Sequence, residues 1–289
     1  MRVIAAPSID MPALLLQSND EAAWSALGFA VAFLCAVIAI LLIGRFRLWK
    51  CPAEPSGVQP RDPSFGAAAM VLFVLAGALG ASAGASLGIA DDAYAREARG
   101  ALGNILQIAV VVLAARTALF VAAERKPASA AKATGIGVLA FMLVMPIVMA
   151  LAMAINSLLV KLGYPAAPQA SHETLAILLE RKDPWLSTLT FAHVTLLVPI
   201  AEEGGWRGLL QPSFRRAGLN GLASACLTSL LFASVHWTIL PADGRVTGLS
   251  MLFTLSMAMG ILRERTGGIV APITVHALFN AVNVAVALS

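Results

Sequence analysis

The sequence has 289 residues, of which 59% are hydrophobic and 12% charged, whereas soluble proteins carry about 25% charged residues. So few polar residues cannot cover the surface of a water-soluble fold of this length, and the composition excludes such a fold. The formal net charge of +4 does not indicate a nucleic-acid partner, because the basic residues lie in short clusters between apolar runs. We expect an integral, multi-pass membrane protein surrounded by lipids, in a bacterial inner membrane.

Apolar runs recur along the whole chain. A helix of roughly 20 apolar residues crosses the hydrocarbon of a bilayer. Eight runs of about this length predict an all-α fold, a polytopic membrane bundle of about eight transmembrane helices. The predicted spans are approximately Trp24 to Gly44, Gly66 to Ala90, Gly100 to Ala123, Thr134 to Val160, Trp185 to Leu210, Leu219 to Leu240, Thr247 to Leu262 and Gly267 to Leu288.

The spans divide the chain into three parts. Residues 1–162 hold the first four spans, which show almost no inward-facing polar chemistry except Arg116 and Asn156. Residues 163–184 form a loop in which residues 171–181 are amphipathic and predict a helix at the membrane interface. Residues 185–289 form a C-terminal core. Alternate loops carry eleven and seven basic residues, and this bias predicts that both termini face away from the cytoplasm.

Ionisable residues inside membrane spans are costly and therefore mark candidate functional sites. They cluster in the C-terminal part, where the fifth span contains Glu202, Glu203 and Arg207 in otherwise apolar sequence. On a helix Glu203 and Arg207 are i,i+4 neighbours and are expected to pair, while Glu202 points about 100° away. One carboxylate is then neutralised and the other is left free for chemistry.

Two later spans each carry a polar i,i+4 pattern. The sixth has Phe232 and His236, and the eighth has His276 and Asn280. These side chains can converge with Glu202 on one buried, water-filled pocket. Glu202 would then act as a general base on a water that His236 also holds. His276 and Asn280 would donate hydrogen bonds to the developing oxyanion.

Taken together, three segments resemble the motifs of the CPBP family of intramembrane peptidases: Glu202-Glu203-x-x-x-Arg207, Phe232-x-x-x-His236 and His276-x-x-x-Asn280. That family includes type II CAAX prenyl proteases and bacteriocin-processing enzymes. Each motif alone is common by chance, whereas all three in order inside apolar spans are a specific signal. The resemblance covers about residues 185–288 and implies an eight-helix-type peptidase. It implies that Glu202 and His236 position the attacking water and that His276 and Asn280 form the oxyanion site. Glu203 and Arg207 would support them.

The scheme does not depend on a metal. The HExxH motif of common zinc peptidases is absent. Asn280 is a poor zinc ligand but a good oxyanion donor, so we expect catalysis without a cofactor. Zinc stays open as an alternative, held by Glu202, His236 and His276 with water in the fourth position. The resemblance is compatible with both versions.

The sequence therefore predicts an intramembrane endopeptidase whose substrate is a membrane-associated peptide or protein, with or without a lipid modification. A proton-coupled transporter would use the same ionisable residues as a relay, although the two halves of the chain show no repeat symmetry. A non-catalytic scaffold or immunity-type protein would keep the fold and bind partners, although its motifs are intact. In that case the histidines and Asn280 would be ordinary hydrogen-bonding groups between helices.

Overall fold

A computed structural model describes residues 11–86, 93–165 and 183–288. The eight helices of these ranges are α1 Met11–Arg45, α2 Pro63–Ser86, α3 Ala93–Arg116, α4 Ala130–Lys161, α5 Pro184–Arg216, α6 Gly221–Val235, α7 Arg245–Thr266 and α8 Val270–Leu288. The predicted all-α polytopic bundle is confirmed. The interfacial helix predicted for residues 171–181 falls on a segment outside the described residues.

Helices α1 to α5 and α7 are each long and apolar enough to cross a membrane, whereas α6 and α8 are shorter apolar helices. The sixth span was predicted to reach Leu240, but α6 ends at Val235. The backbone turns there because the ring of His236 bonds back to the carbonyl of Phe232, and Pro241 cannot extend a helix. Leu240 is buried and packs against α7 at Gly248. The segment after α6 therefore folds back onto the bundle.

The sequence did not predict a small antiparallel sheet at one end of the bundle. Strand β1, Val58–Pro60, pairs with β2, Phe120–Ala122. The third span consequently ends at Arg116 instead of continuing as a helix to Ala123. Arg263 of α7 fixes β1 from inside, because its guanidinium donates to the backbone carbonyls of Ser56 and Val58.

Basic residues of several loops meet at this same end, which we call the basic end. Arg216 donates to the carbonyl of Arg61 at 2.9 Å, and Arg265 donates to that of Lys50 at 3.1 Å. Arg125 donates to the carbonyl of Arg265 at 3.2 Å. The loops grouped by alternation in the sequence therefore do lie together. Which side of the membrane they face stays a prediction.

Two apolar clusters support α5 and its neighbours. One combines Phe73 of α2, Trp206 and Leu209 of α5, and Phe232 of α6. The other joins α4, α7 and α8 through residues such as Val148, Leu255, Met259 and Val275. A Cβ atom at Gly205 would lie only 2.7 Å from the ring of Phe73. The absence of a side chain at position 205 is thus what lets α2 approach the motif region of α5.

Candidate active site

Helix α5 carries the first motif at a point where its winding changes. The helix begins after Asp183, whose carboxylate accepts hydrogen bonds from two N–H groups of the first turn. It contains two π-helical turns, His193–Leu197 and Gly204–Leu210, and the second starts directly after Glu203. Such turns are rare and occur frequently at functional sites. The sequence, interpreted with a regular helical period, did not reveal them.

Glu203 and Arg207 form the ion pair that their spacing predicts. Nη1 of Arg207 donates to Oε1 of Glu203 at 2.8 Å, and both side chains are 0% exposed. Nη2 of Arg207 also donates to the hydroxyl of Ser256 on α7 at 2.6 Å. The guanidinium lies 5.0 Å from the centre of the Phe232 ring on α6. The pair therefore connects three helices, and removal of either charge would leave the other fully buried without its main partner.

His276 of α8 is a third member of this ion-pair cluster. Its Nδ1 lies 2.9 Å from Oε1 of Glu203. A carboxylate that is paired with Arg207 can only accept, so Nδ1 carries the hydrogen. The opposite nitrogen, Nε2, lies 4.0 Å from Oε2 of Glu202. In the neutral ring this Nε2 accepts hydrogen bonds, and it becomes a donor when the ring takes up a second proton.

The two adjacent glutamates occupy different environments. Glu203 is fully buried and its Oε1 accepts from both Arg207 and His276. Glu202 is 26% exposed, and its contact with His276 is looser, at 4.0 Å. The predicted division between a neutralised and an accessible carboxylate is thus present in the geometry.

Phe232 is the centre of an aromatic group that joins both histidines to the ion pair. Its ring centroid lies 4.8 Å from that of His236, 6.3 Å from that of His276 and 5.6 Å from that of Trp206. Nδ1 of His236 faces the carbonyl of Phe232 at 2.7 Å, so it carries the hydrogen and leaves Nε2 as the acceptor in the neutral ring. His236 lies at the end of α6 rather than within it. The phenyl ring therefore fixes the spacing of the two imidazoles.

Asn280 lies one turn beyond His276 on α8 and reaches towards α5. Its Nδ2 donates to the carbonyl of Val194 at 2.8 Å, inside the first π turn. This bond uses one of the two amide hydrogens, and the second remains able to donate elsewhere. The structure thus joins Asn280 to the motif helix through the backbone of α5.

The alternative zinc ligands, Glu202, His236 and His276, lie on three different helical segments. Glu202 and His276 approach each other, while His236 is linked to His276 through the Phe232 ring. Within residues 11–86, 93–165 and 183–288, histidine, cysteine and acidic side chains form no group of three that could hold a metal ion. The residues present, as arranged, do not fit a zinc site. Catalysis without a cofactor stays a prediction.

A further polar group forms around His193 of α5. Its Nδ1 lies 2.8 Å from Oε2 of Glu97, and its Nε2 lies 2.8 Å from Oδ1 of Asn104. Both partners belong to α3, so the expectation of little polar chemistry in the first four spans was wrong. Pairing between distant helices leaves no local spacing signal, and only the presence of Glu97 and Asn104 near an apolar run could have suggested it.

The fold and this site define a polytopic membrane protein with a buried cluster of acidic and histidine side chains. Residues 184–282 match the family described as Type II CAAX prenyl endopeptidase Rce1-like. This segment contains every motif residue described above. Helices α1 to α4 lie outside the match. No curated protein sequence and no solved structure matched the chain.

Proposed function

We propose that the protein hydrolyses a peptide bond of a membrane-associated substrate with Glu202 as the general base on water. The observation that carries this proposal is the contrast between the two glutamates. Glu203 is fully buried and bonded to Arg207 and His276, whereas Glu202 is partly exposed and has a looser neighbour. A general base needs access to water and a lone pair that no strong partner occupies.

The gap between Glu202 and His276 suits a bound water. Their facing atoms are 4.0 Å apart, so one water can lie at hydrogen-bond distance from both. Attack forms the bond between the water oxygen and the carbonyl carbon, and the proton passes to Glu202. Collapse of the tetrahedral intermediate then breaks the C–N bond, and Glu202 returns the proton to the leaving amine. In this scheme His236 helps to orient the water through Nε2.

The oxyanion of the tetrahedral intermediate needs hydrogen-bond donors. The second amide hydrogen of Asn280 is one, because the first is used at Val194. His276 is the other when its ring is protonated, and the Glu203 carboxylate at its Nδ1 stabilises that imidazolium. Arg207 in turn pairs with Glu203 and holds it in place. In this way the buried ion pair supports catalysis without contact with the substrate.

The family's name supports a substrate with a prenylated C-terminus, and we extend the proposal to lipid-modified peptides. A groove of about 670 Å³ between α4, α6 and α7 is lined mainly by apolar residues, including Leu151, Leu230 and Phe253. No motif residue lines this groove. Two peptides of the same sequence, one with and one without a farnesyl group on cysteine, test this part of the proposal separately.

The mechanism is tested with purified protein in detergent and an internally quenched peptide. Glu202→Gln keeps size and polarity but cannot accept the proton, and we expect kcat to fall about 10²- to 10⁴-fold with little change in KM. Glu124→Gln is the matched control, because Glu124 is exposed in a loop away from the site. Equal turnover by wild type and Glu202→Gln would remove Glu202 as the base. Full loss of activity with a zinc chelator would favour the metal version instead.

A further inference from the structure

The polar group around His193 joins α5 to α3, a helix outside the segment that matches the family. His193 and Glu97 have side chains that are 13% and 17% exposed, and the imidazole bridges Glu97 and Asn104 at 2.8 Å on each side. Nδ2 of Asn104 donates to Gln107 at 2.9 Å, so its Oδ1 is the atom that faces the ring. A Cβ atom at Gly100 would lie 2.9 Å from Cε1 of His193. Space for the imidazole therefore depends on a glycine between its two partners.

His193 also begins the first π turn of α5. The N–H of Val198 bonds to the carbonyl of His193, five residues back, and this bond closes the turn. The next carbonyl, that of Val194, accepts the amide of Asn280 at 2.8 Å. The imidazole is thus one residue away from the atom that holds Asn280. A shift of the π turn would therefore move the carbonyl of Val194 and, with it, the carboxamide of Asn280.

Simple helix packing does not require an ionisable pair at this position. A carboxylate and an imidazole inside a membrane protein are costly unless they satisfy each other, and apolar side chains would pack α3 against α5 without that cost. The pair instead fixes the orientation of the His193 imidazole, because both ring nitrogens are held at once. We propose that His193, held by Glu97 and Asn104, is a positioning residue that sets Asn280 at the reacting carbonyl through the π turn of α5. This inference rests on the proposed peptidase function for its catalytic consequence.

The test is a double-mutant cycle in full-length protein with two readouts. The variants are His193→Gln, Asn280→Ala and the pair together, with Thr195→Val as the matched control. Thr195 lies in the same π turn and is buried, but its hydroxyl bonds to Phe191 of its own helix and not to α3. Asn104→Ala is a milder variant that removes one acceptor from the imidazole and serves if His193→Gln does not fold. The readouts are kcat and KM per folded molecule with the quenched peptide, and the midpoint of thermal unfolding without substrate.

We expect His193→Gln to lower kcat about 10- to 100-fold with KM nearly unchanged, because a small misplacement of a catalytic group has effects of this size. In the Asn280→Ala background the same change should have almost no further effect on kcat. The thermal shifts of His193→Gln and Asn280→Ala should likewise be less than additive, although the two side chains do not touch. Thr195→Val should be additive with Asn280→Ala in both readouts.

The two proposals fail in different ways. If the wild-type protein cleaves no peptide, the peptidase proposal fails, and the thermal cycle still shows whether His193 and Asn280 are coupled. Additive thermal shifts, or an equal loss of kcat in both backgrounds, would overturn the positioning role. A uniform loss of folded protein with kcat per folded molecule intact would also overturn it, because a purely structural contact behaves in that way.

Discussion

Neutralising the buried pair of Glu203 and Arg207 should expose a strong energetic coupling. Arg207→Met leaves the Glu203 carboxylate fully buried without its cation and removes the bonds to Ser256. Breaking a buried pair in this way costs about 3 to 5 kcal/mol. Glu203→Gln removes the main counter-charge of the buried Arg207 and should cost a comparable amount. With about 2 to 4 °C per kcal/mol for proteins of roughly this size, each single variant should melt about 10 °C lower.

The double variant Glu203→Gln/Arg207→Met contains no buried net charge, and its glutamine oxygen can still accept from Nδ1 of His276. We therefore expect it to be more stable than the sum of the single losses by about 2 to 3 kcal/mol. Thermal unfolding in one detergent, followed by tryptophan fluorescence and by size-exclusion yield, measures all four corners of the cycle. Lys132→Met is the control, since Lys132 is exposed in the first turn of α4 and should change stability by less than about 0.5 kcal/mol. Additive losses within about 0.5 kcal/mol would refute the reasoning that the two charges depend on each other.

Three other predictions concern helix packing at Gly205, the pKa of Cys51 and the membrane topology. Gly205→Ala should destabilise the protein by about 1 to 3 kcal/mol in thermal unfolding, because its Cβ would meet the Phe73 ring. Gly208→Ala is the control and should be tolerated, because the nearest atom to its added Cβ lies 3.8 Å away. Equal losses of stability in the two variants would contradict the packing argument. Burial, followed by the nearby Glu264 carboxylate, raises the pKa of the Cys51 thiol to about 11. With Cys35 and Cys226 replaced by alanine, alkylation of Cys51 at pH 8 should be slow and should accelerate as the pH approaches that value; rapid labelling at pH 8 would show a normal thiol. Reporters fused at Ser289 and within residues 53–63 should lie on opposite sides of the membrane. Finding both on one side would contradict the prediction of eight transmembrane spans.

The features that the sequence predicted well are those set by local spacing. Four residues separate Glu203 from Arg207, and a helix brings such neighbours together even when a π turn intervenes. The separate environments of Glu202 and Glu203 follow from the same geometry. The number of helices follows from the length of apolar runs, which the bilayer thickness imposes.

The missed features depend on partners that are distant along the chain. His193 acquires its role from Glu97 and Asn104, about a third of the chain away, and no spacing rule connects them. The early end of α6 is fixed by one ring bonding back to Phe232, which hydropathy does not register. The sheet of Val58–Pro60 with Phe120–Ala122 has strands too short to leave an alternating pattern.

Oxygen-isotope labelling of the products tests the central claim most directly. Purified wild-type protein and Glu202→Gln are incubated with the quenched peptide in water enriched in oxygen-18, and the fragments are mapped by mass spectrometry. If Glu202 activates water, the wild type yields one new carboxyl terminus that carries a single heavy oxygen, and Glu202→Gln yields about 10²- to 10⁴-fold less of it. The same labelled fragment at the same rate from both proteins would contradict the account.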